Sequence, residues 1–298
     1  MFSPHPNGFV YIGTWDAGLL KFDPTSKSYS HFLPAPQHFA KTANKNRVTK
    51  LIPAEKGNIW TACSGGSRLF DVEKEEFTTE YYPDFSIDFQ DKEGNYWQIK
   101  DGLKLFHRFD NKLKRHFIPA FVQCENRSEL PFDIMARQVF IRGKCQNGVW
   151  AMNVDDFAWK QYPLPGRAAE KVRLAGFCQT SDGFLVSDEL HRIYFRPQNV
   201  DKFHLLPVSI PPDVGNMNIA ARKDGHIFIT GHEGWLFWLK PGSGQPQVYN
   251  QFNVNEPMPG YFSCVSSPTF DQLGRLWLRT CGGFSIFVPE EDRFCISP

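Results

Sequence analysis

A chain of 298 residues with 41% hydrophobic, 15% aromatic and 22% charged content holds enough apolar material for one large core or two ordinary ones, which excludes a disordered chain. Lys+Arg 33 against Asp+Glu 32 leaves a formal charge of +1, so no general field draws the chain to nucleic acid or to an anionic membrane. Phe 28 and Trp 8 beside Gly 23 and Pro 22 combine stiff, bulky side chains with frequent turns, the mixture expected of many short strands.

The elements recur in chain order. A motif of Gly, a variable residue, an apolar residue and an aromatic reads Gly8-Phe9-Val10-Tyr11, Gly57-Asn58-Ile59-Trp60, Gly94-Asn95-Tyr96-Trp97, Gly225-His226-Ile227-Phe228 and Gly274-Arg275-Leu276-Trp277. Two degenerate copies, Gly148-Val149-Trp150 and Gly183-Phe184-Leu185-Val186, bring the count to seven, at a mean spacing of about 44 residues. Around Gly8 the grammar is a run Phe9 to Thr14, a break at Asp16-Ala17-Gly18, a run Leu19 to Phe22, a turn Asp23 to Lys27 and a run Tyr29 to Phe32. An apolar stretch before most of the Gly turns supplies one more strand: Val48 to Ile52, Phe85 to Phe89, Arg137 to Ile141, Gly176 to Gln179, Asn218 to Ala221 and Pro268 to Phe270.

Four strands per repeat, seven times, predicts an all-β chain folded as a single seven-bladed β-propeller of four-stranded blades over 1–298, with blades near 1–33, 46–82, 84–118, 135–163, 174–206, 216–250 and 262–297. Trp60, Trp97, Trp150 and Trp277 are expected between blades. Only Met1 to Pro4 precede the first Gly turn, so the first blade is expected to lack its inner strand, as in a piece or degenerate relative of a longer sensor chain.

Three segments of the sequence resemble the two-component regulator propeller repeat: Gly57-Asn58-Ile59-Trp60; Ile12-Gly13-Thr14 with Gly18-Leu19-Leu20-Lys21-Phe22-Asp23-Pro24; and Asp271-Gln272-Leu273-Gly274-Arg275-Leu276-Trp277. That resemblance covers nearly the whole chain and is weakest at Trp150-Ala151-Met152 and Val186-Ser187-Asp188. It implies the sensor region of a bacterial hybrid histidine kinase, a periplasmic or extracytoplasmic setting, a carbohydrate-like ligand, and a second propeller or a second copy as partner.

Seven cysteines, at 63, 124, 145, 178, 264, 281 and 295, form an odd, scattered set without a Cys-x-x-Cys pair, against both a zinc knuckle and a disulfide scaffold. No apolar run approaches the ~18 residues of a membrane span, and Met1 to Gly8 lack the basic-then-apolar order of a leader, so the chain by itself reads as soluble, with a cytoplasmic location the alternative to the extracytoplasmic one. Nucleophile elbow, phosphate loop, dinucleotide fingerprint and His-Glu-x-x-His are all missing from the sequence, which points to no cofactor, no metal and no catalysis.

Loops joining second to third strands share one end of a propeller with those joining successive blades. This end would carry Trp15 and Asp16, Arg68 near Ser64, Asp101 beside Lys100, Asp155 beside Asp156, Glu189 and His191, His232 and Glu233, and Arg279 near Cys281. Aromatic planes beside charged hydrogen-bonding groups suit sugar recognition, so Trp15, Asp16, Arg68, Asp101, Asp155, His191, His232 and Arg279 are the expected ligand-binding residues. The enzymatic competitor is a streptogramin-type lyase or hydrolase with Glu189, His191, His232 and Glu233 as acid, base or metal ligands. Asn126-Arg127-Ser128 matches a glycosylation acceptor, and the basic stretch Lys41 to Lys50 reads as a solvated inter-blade loop.

Overall fold

The computed structural model describes residues 2–34, 46–63, 65–91, 94–98, 103–107, 112–116, 118–125, 132–135, 137–146, 148–166, 171–215, 217–231, 234–250, 266–280 and 283–296. They fall into two units, Met1–Phe117 and Ile118–Ser297.

Among its described residues the first unit holds three antiparallel sheets. One is β1 (Phe2–Pro4), β2 (Val10–Gly13), β3 (Leu19–Phe22) and β4 (Tyr29–Phe32); the next is β5 (Val48–Pro53), β6 (Ile59–Cys63), β7 (Gly66–Asp71) and β8 (Glu76–Pro83); the third is β9 (Phe89–Gln90), β10 (Tyr96–Gln98), β11 (Leu103–His107) and β12 (Lys112–His116). Within each, strands pair in chain order. Tyr11, Leu19, Val48, Leu51, Ile59 and Phe70 pack the first sheet on the second, and Ile52, Trp60, Phe85, Ile87 and Tyr96 pack the second on the third.

The first sheet corrects the expectation of an incomplete blade. Phe2, Ser3 and Pro4 pair with Ile12, Tyr11 and Val10, and His5 N–H donates to the Phe9 carbonyl at 2.9 Å to close the hairpin. Proline is tolerated because β1 is an edge strand, whose outer side needs no donor.

The second unit holds four sheets among its described residues. Its first is β13 (Phe132–Met135), β14 (Gln138–Ile141), β16 (Val149–Asn153) and β17 (Trp159–Tyr162). The next has five strands: β15 (Lys144–Gln146), β18 (Lys171–Gln179), β19 (Gly183–Asp188), β20 (Ile193–Pro197) and β21 (His204–Leu205). Then come β22 (Asn218–Ala221), β23 (Ile227–Thr230), β24 (Leu236–Leu239) and β25 (Gln247–Tyr249), followed by β26 (Ser266–Phe270), β27 (Leu276–Thr280), β28 (Gly283–Val288) and β29 (Arg293–Ile296). Strands β13, β18, β22 and β26 neighbour one another in succession, first strands of their sheets except β18, which is second in its own. Apolar layers fill the gaps: Phe140, Tyr162, Val172, Phe184 and Tyr194; then Leu185, Ile193, Ile219, Ile229 and Phe237; then Phe228, Trp238, Leu276 and Phe287.

Gly148 does not open a second strand. It immediately precedes β16, the third strand of its sheet, and Arg137, at φ 64°, makes the first turn without glycine. A Cβ on Gly148 would lie 2.3 Å from the Tyr162 carbonyl oxygen, as one on Gly18 or Gly66 would lie 2.3 or 2.1 Å from that of Phe32 or Tyr82. Glycine is demanded there by the fourth strand's approach rather than by the first hairpin.

A further correction concerns the cysteines. Cys124 and Cys145 form a disulfide across an isolated bridge, tying residues 118–125 to β15. That segment covers its sheet with Val122, Cys145 and Ile141 around half-buried Trp150, so Trp60, Trp97 and Trp277 are buried and Trp150 only partly so. Among the described residues no helix is long and apolar enough to cross a membrane.

Candidate functional site

One five-residue turn is used repeatedly, and it decides which polar residues are free to act. In Asp91 to Asn95, the Asp91 N–H bonds the Asn95 carbonyl, the Gly94 N–H bonds the Asp91 carbonyl, and the side chain of Asp91 accepts from the Asn95 N–H at 2.8 Å and from the Trp97 indole at 3.0 Å. Asp271 repeats this with Arg275 and Trp277, taking the guanidinium Nε at 2.6 Å and the indole at 2.9 Å. These carboxylates are anchors for buried tryptophans.

Asp188 to Arg192, between β19 and β20, is a third copy. Asp188 is 0% exposed and accepts from the Leu190 N–H at 2.9 Å, the Arg192 N–H at 3.0 Å, the Arg192 guanidinium and the Tyr194 hydroxyl at 3.0 Å. His191 takes the glycine place at φ 59°, and its Nε2 lies 2.8 Å from the Gly215 carbonyl. Its imidazole is thus a strut between the turn and the next connection. His232 and Glu233, expected to act together with Glu189 and His191, lie outside the described residues, as does Asp101.

Asp155 sits in the turn between β16 and β17, at the end opposite the one expected. It ion-pairs with Arg137, which lies in the turn between β13 and β14. The misplacement follows from Gly148: once β16 is the third strand, the loop after it joins strands three and four. Arg279 is exposed near the end of β27 that leads to β28, as expected.

Trp15 and Asp16 occupy the β2–β3 turn, both exposed, with Trp15 63% open. Thr14 fixes the turn, its hydroxyl donating to the Gly18 carbonyl at 2.9 Å and accepting from the Ala17 N–H at 2.9 Å. Arg47 lays its guanidinium on the Trp15 ring, 3.2 Å from the centroid.

Arg68 lines a cleft of about 510 Å³ between the outer strands of the first two sheets, with His31, Phe32, Leu33 and Pro34 on one side and Glu75, Glu76 and Phe77 on the other. Phe32 and Phe77 both pack on Phe70, at 5.0 and 5.2 Å, which fixes the apolar floor. Lys21 neutralises Glu75, and His31 reaches the Ala17 carbonyl of the Trp15 turn. Arg68 lies 4.8 Å over the Tyr81 ring, and among the described residues neither Arg68 nor Glu76 has an ion-pair partner. His31, Glu76, Phe32 and Phe77 escaped sequence reasoning because they stand on or beside outer strands rather than in loops. Chemically the cleft offers one cation, one anion, an imidazole and two rings, a set for binding polar, partly apolar molecules; among the described residues no cluster suited to a metal ion occurs.

No family model matches the chain, and no curated protein does. Among solved structures it is similar to the RRP9 WD40 repeats, at 9% identity over 94% of this chain and 86% of that one, TM-score 0.62. The fold is propeller-like. A computationally designed protein, Ika8, is similar at 11% identity over 97% of this chain and 83% of that one, TM-score 0.58. The extracellular domain of the hybrid two component system BT4673 from B. thetaiotaomicron is similar at 12% identity, TM-score 0.53, over 99% of this chain but only 45% of that one.

Proposed function

We propose that the seven sheets are the blades of one propeller acting as a non-catalytic, extracytoplasmic ligand-sensing module, with the cleft at Arg68 as its binding site and a carbohydrate-like molecule as its ligand. The observation that carries this reading is the pairing of an ion-pair-free Arg68 and Glu76 across a phenylalanine-floored cleft of about 510 Å³, within the range of pockets that enclose small ligands. Sugar hydroxyls take charged groups in bidentate fashion while a sugar's apolar face rests on rings. Trp15 and Asp16, in the turn that His31 reaches, and Arg47, stacked on Trp15, extend the surface for a longer glycan.

The disulfide supports an oxidising compartment, because such bonds are rare in reducing cytosol. The repeat resemblance and the propeller-like fold agree with a sensor region, whose signal would pass to a second propeller or a second copy.

A glycan microarray probed with the labelled protein, followed by titration of each hit, tests this. Loss of a charge-assisted bond is worth about 1.5–3 kcal/mol, so Arg68→Ala and Glu76→Gln should each weaken binding by roughly 10- to 100-fold with melting unchanged. Undiminished binding by both variants, or cleavage of the bound glycan, would remove the proposal.

A further inference from the structure

Residues 118–125, which the disulfide ties to β15, extend that strand into a small three-stranded platform. Around the Cys124–Cys145 bridge, the Glu125 N–H donates to the Lys144 carbonyl at 3.0 Å and the Gln146 N–H to the Gln123 carbonyl at 2.9 Å. On the other side of β15, Lys144, Cys145 and Gln146 pair with Arg173, Val172 and Lys171 of β18. The middle row, Cys124, Cys145 and Val172, turns to the core, with Cys145 and Val172 0% and 2% exposed. Strand alternation sends the two flanking rows to the opposite face, where Gln123, Glu125, Lys171 and Arg173 are exposed and Lys144 and Gln146 half-buried.

The charges on that face are arranged at a cost. Lys144 and Arg173 stand directly opposite each other, and like charges so placed in an antiparallel pair repel. The acids at the ends of their row do not relieve this. Glu125, opposite Lys144, ion-pairs with Lys171 instead, at 3.2 Å. Glu189, whose N–H donates to the Arg173 carbonyl at 3.0 Å, keeps its exposed carboxylate in solvent. Among the described residues neither Lys144 nor Arg173 has an ion-pair partner. Arg142, whose Nη2 donates to the Ala175 carbonyl at 2.7 Å, adds a cation where the chain enters β15. Arg142, Lys144, Lys171 and Arg173 against Glu125 and Glu189 leave the platform positive on a chain whose formal charge is +1.

The edges of the face select the kind of partner. Phe121, 59% exposed, lies two residues before Gln123, and Leu190, 59% exposed, follows Glu189. A uniformly charged polyanion would press negative groups against Glu125 and Glu189 and leave these apolar side chains in water. An acidic polypeptide can place one carboxylate between Lys144 and Arg173, lay apolar side chains on Phe121 or Leu190, and match its amides to Gln123 and Gln146, which both give and take hydrogen bonds.

We propose that the face formed by residues 123–125, 144–146 and 171–173 docks an acidic segment of a partner protein, with one carboxylate resting between Lys144 and Arg173. The proposal rests on neither the Arg68 cleft nor a sugar ligand.

Fluorescence anisotropy of a short labelled peptide of aspartate, leucine and serine, titrated with the full chain, tests it beside the same peptide with asparagine for aspartate and beside a labelled sulfated oligosaccharide. The aspartate peptide should bind and the asparagine peptide should not. Lys144→Gln/Arg173→Gln should weaken binding by about fivefold or more and melt no lower than the parent, because it removes a repulsion. Glu125→Gln, which frees Lys171, should tighten binding by about twofold, and Arg68→Ala should leave it unchanged. The proposal is overturned if the aspartate peptide fails to bind, if the asparagine peptide binds equally, if the double variant binds undiminished, or if the sulfated oligosaccharide binds in preference to the peptide. Should the double variant fail to fold, Glu125→Gln decides: binding unchanged or weakened there overturns the proposal.

Discussion

Replacing Asp188 by alanine should be among the most damaging single changes in the second unit, although the residue sits in a surface turn. The carboxylate is fully buried and collects two turn amides, the Arg192 guanidinium and the Tyr194 hydroxyl. Alanine leaves the buried Tyr194 hydroxyl without its acceptor, at about 1–3 kcal/mol. The Leu190 and Arg192 amides can turn to water and lose about 0.5–1.5 kcal/mol together. Arg192, with its side chain 30% exposed, swings outward at a loss of about 0–1 kcal/mol. The sum centres near 3.5 kcal/mol, roughly 7–14 °C in melting temperature for a unit of this size. Asp188→Asn keeps an oxygen in place and should lose about 1–2 kcal/mol. Urea unfolding followed by tryptophan fluorescence, on a cycle with Tyr194→Phe, measures the terms: without the hydroxyl, Asp188→Ala should cost about 1–2 kcal/mol less than in the parent. A cost below about 1 kcal/mol, or no coupling to Tyr194, would refute the view of this turn as a structural anchor.

Gly148→Ala should destabilise by about 2–4 kcal/mol, since it combines φ 123° with a Cβ 2.3 Å from the Tyr162 carbonyl, while Gly166→Ala, at φ 73° with open space around it, should cost about 1 kcal/mol; paired melting curves check the contrast. The double substitution Cys124→Ser/Cys145→Ser opens a loop closed over a separation of 21 residues and should cost about 3 kcal/mol, and a reductant should lower the melting temperature of the parent but not of the variant. His226 is held below the usual imidazole value, chiefly by burial, and its Nδ1 accepts the Trp238 indole N–H at 2.7 Å. Below about pH 6.5 the unfolded chain therefore takes up the proton before the folded one, and stability falls from there towards the lower folded value; melting at pH 7 and pH 5 should separate wild type from His226→Asn, which does not titrate.

Turn chemistry made much of the fold legible. Where the Gly turn lies between first and second strands, as at Gly8, Gly57, Gly94, Gly225 and Gly274, strand positions follow from it. The fourth sheet was misread because its first turn uses Arg137 and its glycine serves a close approach just before the third strand, a need that spacing alone does not reveal. The same slip moved Asp155 to the wrong end. Asp-x-x-Gly-x-x-Trp at Asp91 and Asp271 carries a readable signature of the anchored turn, but His191 in the glycine place hides it at Asp188, since a positive φ at histidine is not advertised by the sequence. Of the Arg68 cleft, only Arg68 could be named from its place near a second-to-third-strand turn. His31 and Glu76 face it through the packing of two sheets, and that depends on which outer strands meet.

Hydrogen exchange with and without a glycan that binds on the array tests the central claim, ligand binding at the cleft, most directly. Protection is expected in residues 31–34, 66–69 and 75–77, the walls around Arg68, and should vanish in Arg68→Ala. Protection confined instead to the turns at Gly8, Gly94 and Gly274, or unchanged by Arg68→Ala, would contradict it.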